Sequence, residues 1–436
     1  MLAIGGAIGV GLFLGSSVTI RLAGPGVLVA YAIGACVALI VAYALAEMAV
    51  VQPVAGGFGV YAETYLNRWA GFSVRATYAF IQIVAIGAEV TAAGIYFAFW
   101  FPAVPQWIWV VSVSAALIAI NSLHVGRFGE FEYWFALIKV VAIVAFIVAG
   151  IGLIAGIVGH ARIALPQWAS GSEVLPFGWK GVWLALSLTL TSYMGIEIIA
   201  VTAGEAQEPE QSIPRAMRGV VLRLILFYVL AIAVILAISP ARSATAGIAG
   251  SPFVEAFSRA GIPYAALIMN LVVITAALSS ANTNIYLTTR MLYSLGRTGD
   301  APAALSRLNR SGVPVIALAC SCIGMATAIL LAIFSPSRAF LSLYGVAVGG
   351  MLFVWIVILG THLAFRKRVP PQQIAALPMR LRLFPASTLT GIAALLAISA
   401  STFYVPGLRH TIPSFILFLV LISLLYGTIR RVERRT

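Results

Sequence analysis

The chain has 436 residues, of which 61% are apolar and only 9% are charged. Soluble domains average about 25% charged residues, so this composition excludes an ordinary soluble enzyme. A helical bilayer span takes about 20 apolar residues, and the chain therefore has room for about twelve spans but almost none for a separate soluble domain. The formal net charge of +14 would suit nucleic-acid binding only on a solvent-exposed basic domain, which this composition does not provide.

The long apolar runs predict an all-α polytopic membrane protein with about 12 transmembrane helices. These runs do not alternate apolar and polar residues as the strands of a membrane barrel do. The predicted spans are 2–20, 27–51, 71–99, 105–122, 131–158, 180–204, 216–239, 263–293, 314–335, 338–362, 385–404 and 412–430. Because no polar residues precede the first run, we expect that a short cytoplasmic segment and the inner end of the first helix are missing from this sequence.

The distribution of positive charge predicts the orientation of the chain. Loops after even-numbered spans and the C-terminal tail hold 19 of the 27 Lys and Arg residues, and the opposite loops hold 7. Loops rich in Lys and Arg remain in the cytoplasm, so both termini are predicted to be cytoplasmic. The basic excess then serves topology and contact with anionic headgroups rather than nucleic-acid binding.

Two of the predicted spans contain residues that interrupt a helix. The first has glycines at 5, 6, 9, 11 and 15, and the sixth contains the polar stretch TSYMGIE at 191–197. A helix interruption at membrane depth frees backbone N–H and C=O groups, which are tolerated only where they line a cavity or bind a ligand. Breaks in the first span of each five-span half indicate a transporter site. The alternative interpretation of the glycines is close helix packing through small-xxx-small contacts.

Several long motifs, in order along the chain, resemble those of one known family. They are IGGAIGVGLFLGS at 4–16, AGPG at 23–26, PVAGGF at 53–58, FGEFEYWFALIKVVAIVAFI at 128–147, SYMGIEIIAVTAGEAQEPEQSIPRA at 192–216, SPF at 251–253 and RML at 290–292. Together they resemble the amino-acid permeases of the APC superfamily, specifically its bacterial amino acid transporter branch. The resemblance runs from residue 1 to about residue 365 and is weaker beyond.

This resemblance implies a LeuT-type fold, a 5+5 inverted repeat in which helices 1 and 6 are broken at mid-membrane. The corresponding regions are 1–158 for the first repeat, 180–362 for the second, and 385–436 for two peripheral helices and a cytoplasmic tail. Carried over residue by residue, the family pattern implies a substrate site at the two breaks. Its predicted members are Ala7, Ile8, Gly9, Val10, Gly11, Thr191, Ser192, Tyr193, Met194 and Gly195.

The chemistry of an α-amino acid suits such breaks. Free N–H groups at the start of a half-helix attract the carboxylate, and carbonyl groups ahead of a break accept hydrogen bonds from the ammonium. We expect Tyr193 and Gly195 to shape the side-chain pocket. Small residues in the tenth span, Gly345, Gly349 and Gly350, are expected to leave room for a larger side chain.

Three ionisable residues deep in the predicted spans, Lys139, Glu197 and Glu89, are candidates for proton coupling. The alternative for Lys139 is snorkelling of its ammonium to the headgroups. The resemblance implies that this amine takes the place of a sodium ion, with Ser279 and Ser280 as its polar partners, so we expect no sodium site and no cofactor. Glu197 equally suits a structural hydrogen-bond acceptor, and Glu89 a gating or structural role. Any proton is expected to titrate among a coupled set.

The resemblance and these residues predict a secondary active transporter in the bacterial inner (plasma) membrane. It would import an amino acid by proton symport through alternating access. A neutral L-amino acid is favoured because the stretches matched to the substrate site, 7–11 and 191–197, contain no arginine and, besides Glu197, no acid. The predicted partners are the amino acid, a proton and a bilayer with anionic cytoplasmic headgroups, whereas nothing indicates an oligomeric state.

The alternatives within transport are an amino-acid exchanger and a γ-aminobutyrate permease. A membrane enzyme would need clustered His, Asp or Glu residues, and the sequence has a single aspartate, Asp300, and scattered histidines. A channel or sensor would lack saturable uptake that depends on the proton gradient.

Overall fold

The structure, a computed structural model, describes residues 8–54, 56–123, 128–157, 174–201, 208–238, 251–259, 264–309, 312–405 and 408–433. These residues form helices, turns and loops and contain no β-strand, as predicted. The helices are α1 (a π-helical turn, Gly11–Gly15), α2 (Ser16–Ala23), α3 (Val27–Val51), α4 (Gly57–Tyr65), α5 (Arg68–Phe97), α6 (Gln106–Leu123), α7 (Phe128–Ile154), α8 (Gly178–Thr191), α9 (Ile198–Val201), α10 (Pro209–Arg223), α11 (Ala231–Ile238), α12 (Pro252–Arg259), α13 (Ala265–Arg297), α14 (Val315–Ser321), α15 (Ile323–Phe334), α16 (Pro336–Arg368), α17 (Pro371–Ala375), α18 (Ala386–Ser401) and α19 (Thr411–Glu433).

Within the described ranges, eight helical segments are long and apolar enough to cross a membrane. They are Gly11–Val51, Arg68–Phe97, Tyr133–Ile154, Ala265–Arg297, Val315–Phe334, Pro336–Arg368, Ala386–Tyr404 and Thr411–Ile429. Two shorter apolar helices occupy Gln106–Ser122 and Phe227–Ile238, and the second combines the end of a π-helical segment, Leu224–Leu230, with α11. The first long segment, Gly11–Val51, covers two predicted spans. A turn at Gly24–Gly26 separates α2 from α3 within it, and Gly24 has a φ of 59° there. Length and composition therefore indicate a polytopic membrane protein.

The helices pack in two groups that α16 connects. In one group α5 lies along α13 and also contacts α6 and α15; in the other, α2 and α3 pack on α8. The first group packs closely through glycine: a Cβ added at Gly87 of α5 would lie 2.6 Å from the carbonyl oxygen of Gly324 on α15. Such backbone proximity is typical of small residues at helix interfaces in membranes.

A buried ion-pair cluster joins α4, α5 and the end of α13. Arg75 is 1% exposed and donates to Glu63 at 2.8 Å and to Asp300 at 3.1 Å. Asp300 also accepts from Thr298 at 2.8 Å and lies 3.4 Å from Arg68. The single aspartate of the chain is thus a structural anion, because paired charges at a helix junction hold the elements together while one alone would be strongly destabilising.

A second buried cluster ties α3 to α16 and to the linker before α18. The Glu47 carboxylate accepts two hydrogen bonds of 2.8 Å from Arg366 and lies 3.1 Å from His362 Nε2. It also accepts from the N–H of Leu381, whose carbonyl accepts from Arg366 at 3.1 Å. His362 Nδ1 contacts Thr388 at 3.1 Å. Both backbone groups of Leu381 are therefore held by side chains of the membrane helices.

Candidate functional site

The sixth predicted span is interrupted in the structure. Helix α8 ends at Thr191, residues 192–197 form turns, and α9 begins at Ile198. Gly195 in the turn has a φ of 97°. This left-handed region is open to glycine because glycine has no Cβ, whereas other residues rarely adopt it. A glycine within a polar stretch thus explains locally why the helix stops here.

The first predicted span is irregular where the described chain begins. Ile8 and Gly9 form a bend that leads into the π-helical turn α1. A Cβ added at Gly9 would lie 2.5 Å from Glu89 Oε1 and 2.6 Å from Ser280 Oγ. A side chain at this position would therefore displace the ends of the Glu89 and Ser280 side chains, which belong to α5 and α13.

The two irregular segments contact each other directly. Ser192 Oγ donates to the carbonyl of Gly11 at 3.1 Å and lies 3.4 Å from the Tyr31 hydroxyl. Thr191 Oγ1 contacts the hydroxyl of Tyr344 on α16. Backbone groups released from two helices therefore meet in one place, lined by hydroxyl groups.

A cavity of about 60 Å³ lies at this meeting point. It exceeds the roughly 10–15 Å³ that a single water molecule requires. Its walls come from both breaks and from α5, α13 and α16: Gly9, Val10, Gly11, Gln82, Ala85, Ala88, Glu89, Thr191, Ser192, Met194, Gly195, Ile198, Ser280, Asn284, Tyr344 and Ala347. Backbone polar groups and a few side-chain polar groups thus converge on an otherwise apolar space, as in a small-molecule site.

Glu89 holds the backbone of the first break. The N–H of Val10 donates to both carboxylate oxygens, at 3.4 Å to Oε1 and 3.3 Å to Oε2, and Ser280 donates to Oε1 at 2.7 Å. Lys139 is fully buried on α7 and interacts electrostatically with this carboxylate. Its burial argues against the snorkelling alternative, because a snorkelling ammonium reaches the membrane surface.

Glu197 lies at the end of the sixth-span break and outside the cavity lining. Its Oε1 accepts from the N–H of Gly195 at 3.0 Å and from the Tyr78 hydroxyl at 3.4 Å. Its Oε2 is buried and accepts no hydrogen bond of ordinary geometry from the described residues, although the Trp355 indole N–H lies near this carboxylate. One oxygen therefore caps the broken backbone, while the other has no well-aligned donor in the described residues.

The structure gathers seven of the ten predicted substrate-site residues around the cavity. Ile8 is fully buried but does not line it, and Tyr193 instead donates to the carbonyl of Tyr31 at 2.7 Å. Ala7 lies outside the described residues. Sequence reasoning missed Gln82, Asn284 and Tyr344, and only Asn284 had a signal, because it closes the polar ALSSANTN stretch of α13.

The expectation that the tenth-span glycines leave room for a substrate is wrong for Gly349 and Gly350. A Cβ at Gly349 would lie 2.9 Å from Thr411 at the start of α19, and one at Gly350 would overlap Ile81 of α5. Helix packing uses the space that these glycines provide. The cavity wall of α16 consists of the larger Tyr344 and of Ala347.

Comparison with known proteins extends over nearly the whole chain. The family profile described as "Amino acid permease" matches residues 1–434. The chain is 41% identical to the "Uncharacterized amino acid permease YtnA" of Bacillus subtilis, over 98% of this chain and 92% of that protein. It is 36% identical to the "Gamma-aminobutyric acid permease" of the same organism, over 100% and 93%. It is 38% identical to the "Aromatic amino acid transport protein AroP" of Salmonella typhimurium, over 86% and 81%.

Proposed function

The chain belongs to the amino acid permease family and is a multi-pass membrane protein, and we propose that it imports a neutral L-amino acid by proton symport. The proposed mechanism is alternating access in a bacterial plasma membrane with both termini in the cytoplasm. We further propose twelve spans in a LeuT-type 5+5 arrangement, in which α1 and the α8–α9 break belong to equivalent positions of the two repeats. Neither a cofactor nor sodium is part of this proposal.

The observation that carries the proposal is the meeting of two broken segments at one cavity. Ser192 bonds to the Gly11 carbonyl, and both residues line the cavity with Gly9 and Gly195. Freed backbone groups at membrane depth are characteristic of transporter sites, where irregular backbone lines a cavity. The N–H groups of the first break suit the substrate carboxylate, and the carbonyls beside Thr191 and Ser192 suit the ammonium.

The charge balance at the cavity favours a zwitterionic substrate with a neutral side chain. Among the described residues of the lining, Glu89 is the one carboxylate; it interacts electrostatically with Lys139 and accepts hydrogen bonds from Ser280 and the N–H of Val10. Since these groups offset its charge, the site offers no net charge to a cationic or anionic side chain. The small volume favours a short side chain in this conformation.

Proton coupling is proposed to run through Lys139 and Glu89, with Glu197 as a further carrier. A buried ammonium and a buried carboxylate are each costly to charge singly, so protonation of one depends on the other. Substrate entry near Val10 disturbs the hydrogen bonds of Glu89 and thereby changes that balance. This links the occupancy of the cavity to the occupancy of the proton site.

The test is uptake of labelled amino acids into proteoliposomes with an imposed pH gradient, using serine, threonine, tyrosine and γ-aminobutyrate. We expect saturable, uncoupler-sensitive accumulation of at least one of them. Lys139→Ala and Glu89→Gln should each reduce gradient-driven accumulation by about tenfold or more, whereas Lys180→Ala, at an exposed lysine, should not. If no substrate accumulates, import is disproved; if Lys139→Ala retains full pH-driven uptake, its role in coupling is disproved.

The alternative within transport is exchange of one amino acid for another. Counterflow against unlabelled substrate separates the two, because an exchanger accumulates label only when the vesicle interior contains substrate. γ-Aminobutyrate is included among the tested substrates because one relative is named a γ-aminobutyric acid permease.

A further inference from the structure

A second, larger cavity lies away from the substrate site, which we call the linker cavity. It has a volume of about 670 Å³ and lies between Tyr43 of α3, Pro214 of α10 and residues 377–382 of the linker before α18. Its size falls within the roughly 300–1,000 Å³ typical of small-molecule sites. Neither the proposed transport cycle nor the buried ion pairs use this space.

Two arginines of the linker line this cavity. Arg380 and Arg382 are exposed, and neither makes an ion pair with an acidic residue in the described part of the chain. Two guanidinium groups on one concave surface match a phosphate group, because each presents a fork of donors to its oxygens.

The linker backbone between these arginines is held in place from within the protein. Leu381 donates its N–H to Glu47 and accepts from Arg366 at 3.1 Å through its carbonyl. Glu47 is fully buried and is itself fixed by Arg366 and His362. The arginines on either side of Leu381 therefore start from an ordered backbone, which reduces the entropy lost when they bind a ligand.

The surroundings of the cavity match those of a membrane lipid. Leu39 and Ile40 of α3 form an apolar wall, and Leu383, next to Arg382, is 82% exposed. Basic residues beside exposed apolar side chains are typical of segments at the membrane interface. The acyl chains of a lipid would bury this apolar wall, which is favourable, whereas a soluble phosphate has no apolar group that could contact it.

Glu210, the acidic residue of the neighbouring helix α10, does not pair with these two arginines. Glu210 is exposed one turn before Pro214 and forms no ion pair with either arginine. The exposed Arg215 follows Pro214 directly. Within the described part of the chain, no acidic residue therefore offsets the positive charge of the linker arginines.

We propose that the linker cavity binds the phosphate headgroup of an anionic glycerophospholipid from the cytoplasmic leaflet. Arg380 and Arg382 hold the phosphate, and the acyl chains lie against α3. The choice of leaflet rests on the proposed cytoplasmic orientation of this linker, because the inner surface is where basic segments meet anionic lipid. The binding itself does not depend on which amino acid is transported or on proton coupling.

The experiment measures lipid retention by the purified full chain in detergent, using native mass spectrometry with added phosphatidylglycerol or phosphatidylcholine. The unmodified chain should retain phosphatidylglycerol preferentially. Arg380→Gln with Arg382→Gln should weaken that binding by about tenfold or more, since each basic residue near an anionic surface contributes roughly fivefold. The matched control, Arg338→Gln with Arg409→Gln, removes two exposed arginines, one in the first turn of α16 and one in the turn before α19, both predicted on the opposite face, and should leave the binding unchanged.

Two further arms make the result decisive. Conservative Arg380→Lys with Arg382→Lys variants keep the charge and should recover part of the binding, and thermal unfolding confirms that every variant remains folded. Inorganic phosphate at the same concentration should not displace the lipid. Equal retention by the Gln variants, or displacement by phosphate at matching concentration, would overturn the lipid site, whereas a transport failure would leave it standing because binding is measured without transport.

Discussion

At the scale of single residues, the two oxygens of Glu197 differ in their contacts. One accepts from the N–H of Gly195 at 3.0 Å, and the other accepts no hydrogen bond of ordinary geometry from the described residues, although the Trp355 indole lies near the carboxylate. A glutamine keeps one acceptor oxygen but cannot exchange a proton. We therefore expect Glu197→Gln to retain substrate counterflow while the pH dependence of uptake becomes weaker by about threefold or more.

Tyr78→Phe serves as the control for this variant. It removes the 3.4 Å hydrogen bond to Glu197 Oε1, the oxygen that also accepts from Gly195, but it leaves the acid in place. Its effect on pH dependence should be small. An unchanged pH profile in Glu197→Gln would leave Glu197 as a structural acceptor only.

Substitution of Glu47 measures how much the second buried ion-pair cluster contributes to the free energy of unfolding. Removing its carboxylate leaves Arg366 and His362 without their anion in a buried place, and it releases the N–H of Leu381. Breaking a buried pair from one side costs about 3–5 kcal/mol, so Glu47→Ala should lower the free energy of unfolding by that amount. Denaturant unfolding in detergent measures the change.

The matched control is Glu208→Ala, at an exposed glutamate with no ion pair to the described residues. Substitutions of this kind usually stay within about 0.5 kcal/mol. If both variants lost stability equally, the cluster would not be an anchor of α3, α16 and the linker.

At the scale of the elements, the first break packs against the Glu89 side chain of α5 and the Ser280 side chain of α13. A methyl group at Gly9 would press on Glu89 and Ser280 at 2.5–2.6 Å. Because Glu89 also accepts from the N–H of Val10 in the break, displacing its carboxylate disturbs the backbone beside the substrate site. We therefore expect Gly9→Ala to reduce uptake by about tenfold or more and to raise the KM for the substrate. Initial-rate uptake across a range of substrate concentrations separates KM from the maximal rate.

Gly360 of α16 provides the control for this substitution, because nothing lies within 4 Å of a Cβ added there. Gly360→Ala should be neutral or stabilising, since alanine favours helix over glycine by about 1 kcal/mol. Wild-type KM in Gly9→Ala would show that the approach of α5 and α13 does not shape the substrate site.

At the scale of the whole molecule, the charge distribution predicts the orientation in the membrane. A fluorescent protein fused after Thr436 should fluoresce in intact bacteria, and alkaline phosphatase at the same place should remain inactive, because the first matures in the cytoplasm and the second outside it. Fusion of each reporter in the loop after α15 should give the reverse pattern. Active phosphatase at the C-terminus would reject the proposed topology.

The residues around the site show how far local patterns lead. Gly9, Gly11, Ser192 and Gly195 were predictable, because glycine and polar residues inside an apolar run indicate freed backbone. The Tyr193 prediction follows the same stretch, but the side chain points to the Tyr31 carbonyl at 2.7 Å. Sequence position assigns a residue to a break, whereas the packing of the neighbouring helix decides which side of the break its side chain takes.

Hydropathy and the need to satisfy backbone groups, which are properties of short stretches, were enough to predict the membrane class and the positions of the two interruptions. The family was predicted from the resemblance of several ordered motifs. The contacts between distant segments were not predictable in this way: Glu89 accepts from Val10, 79 positions away, and Ser192 bonds to Gly11, 181 positions away. Such contacts depend on how helices far apart in sequence pack, and the 9% of charged residues acquire their partners only then.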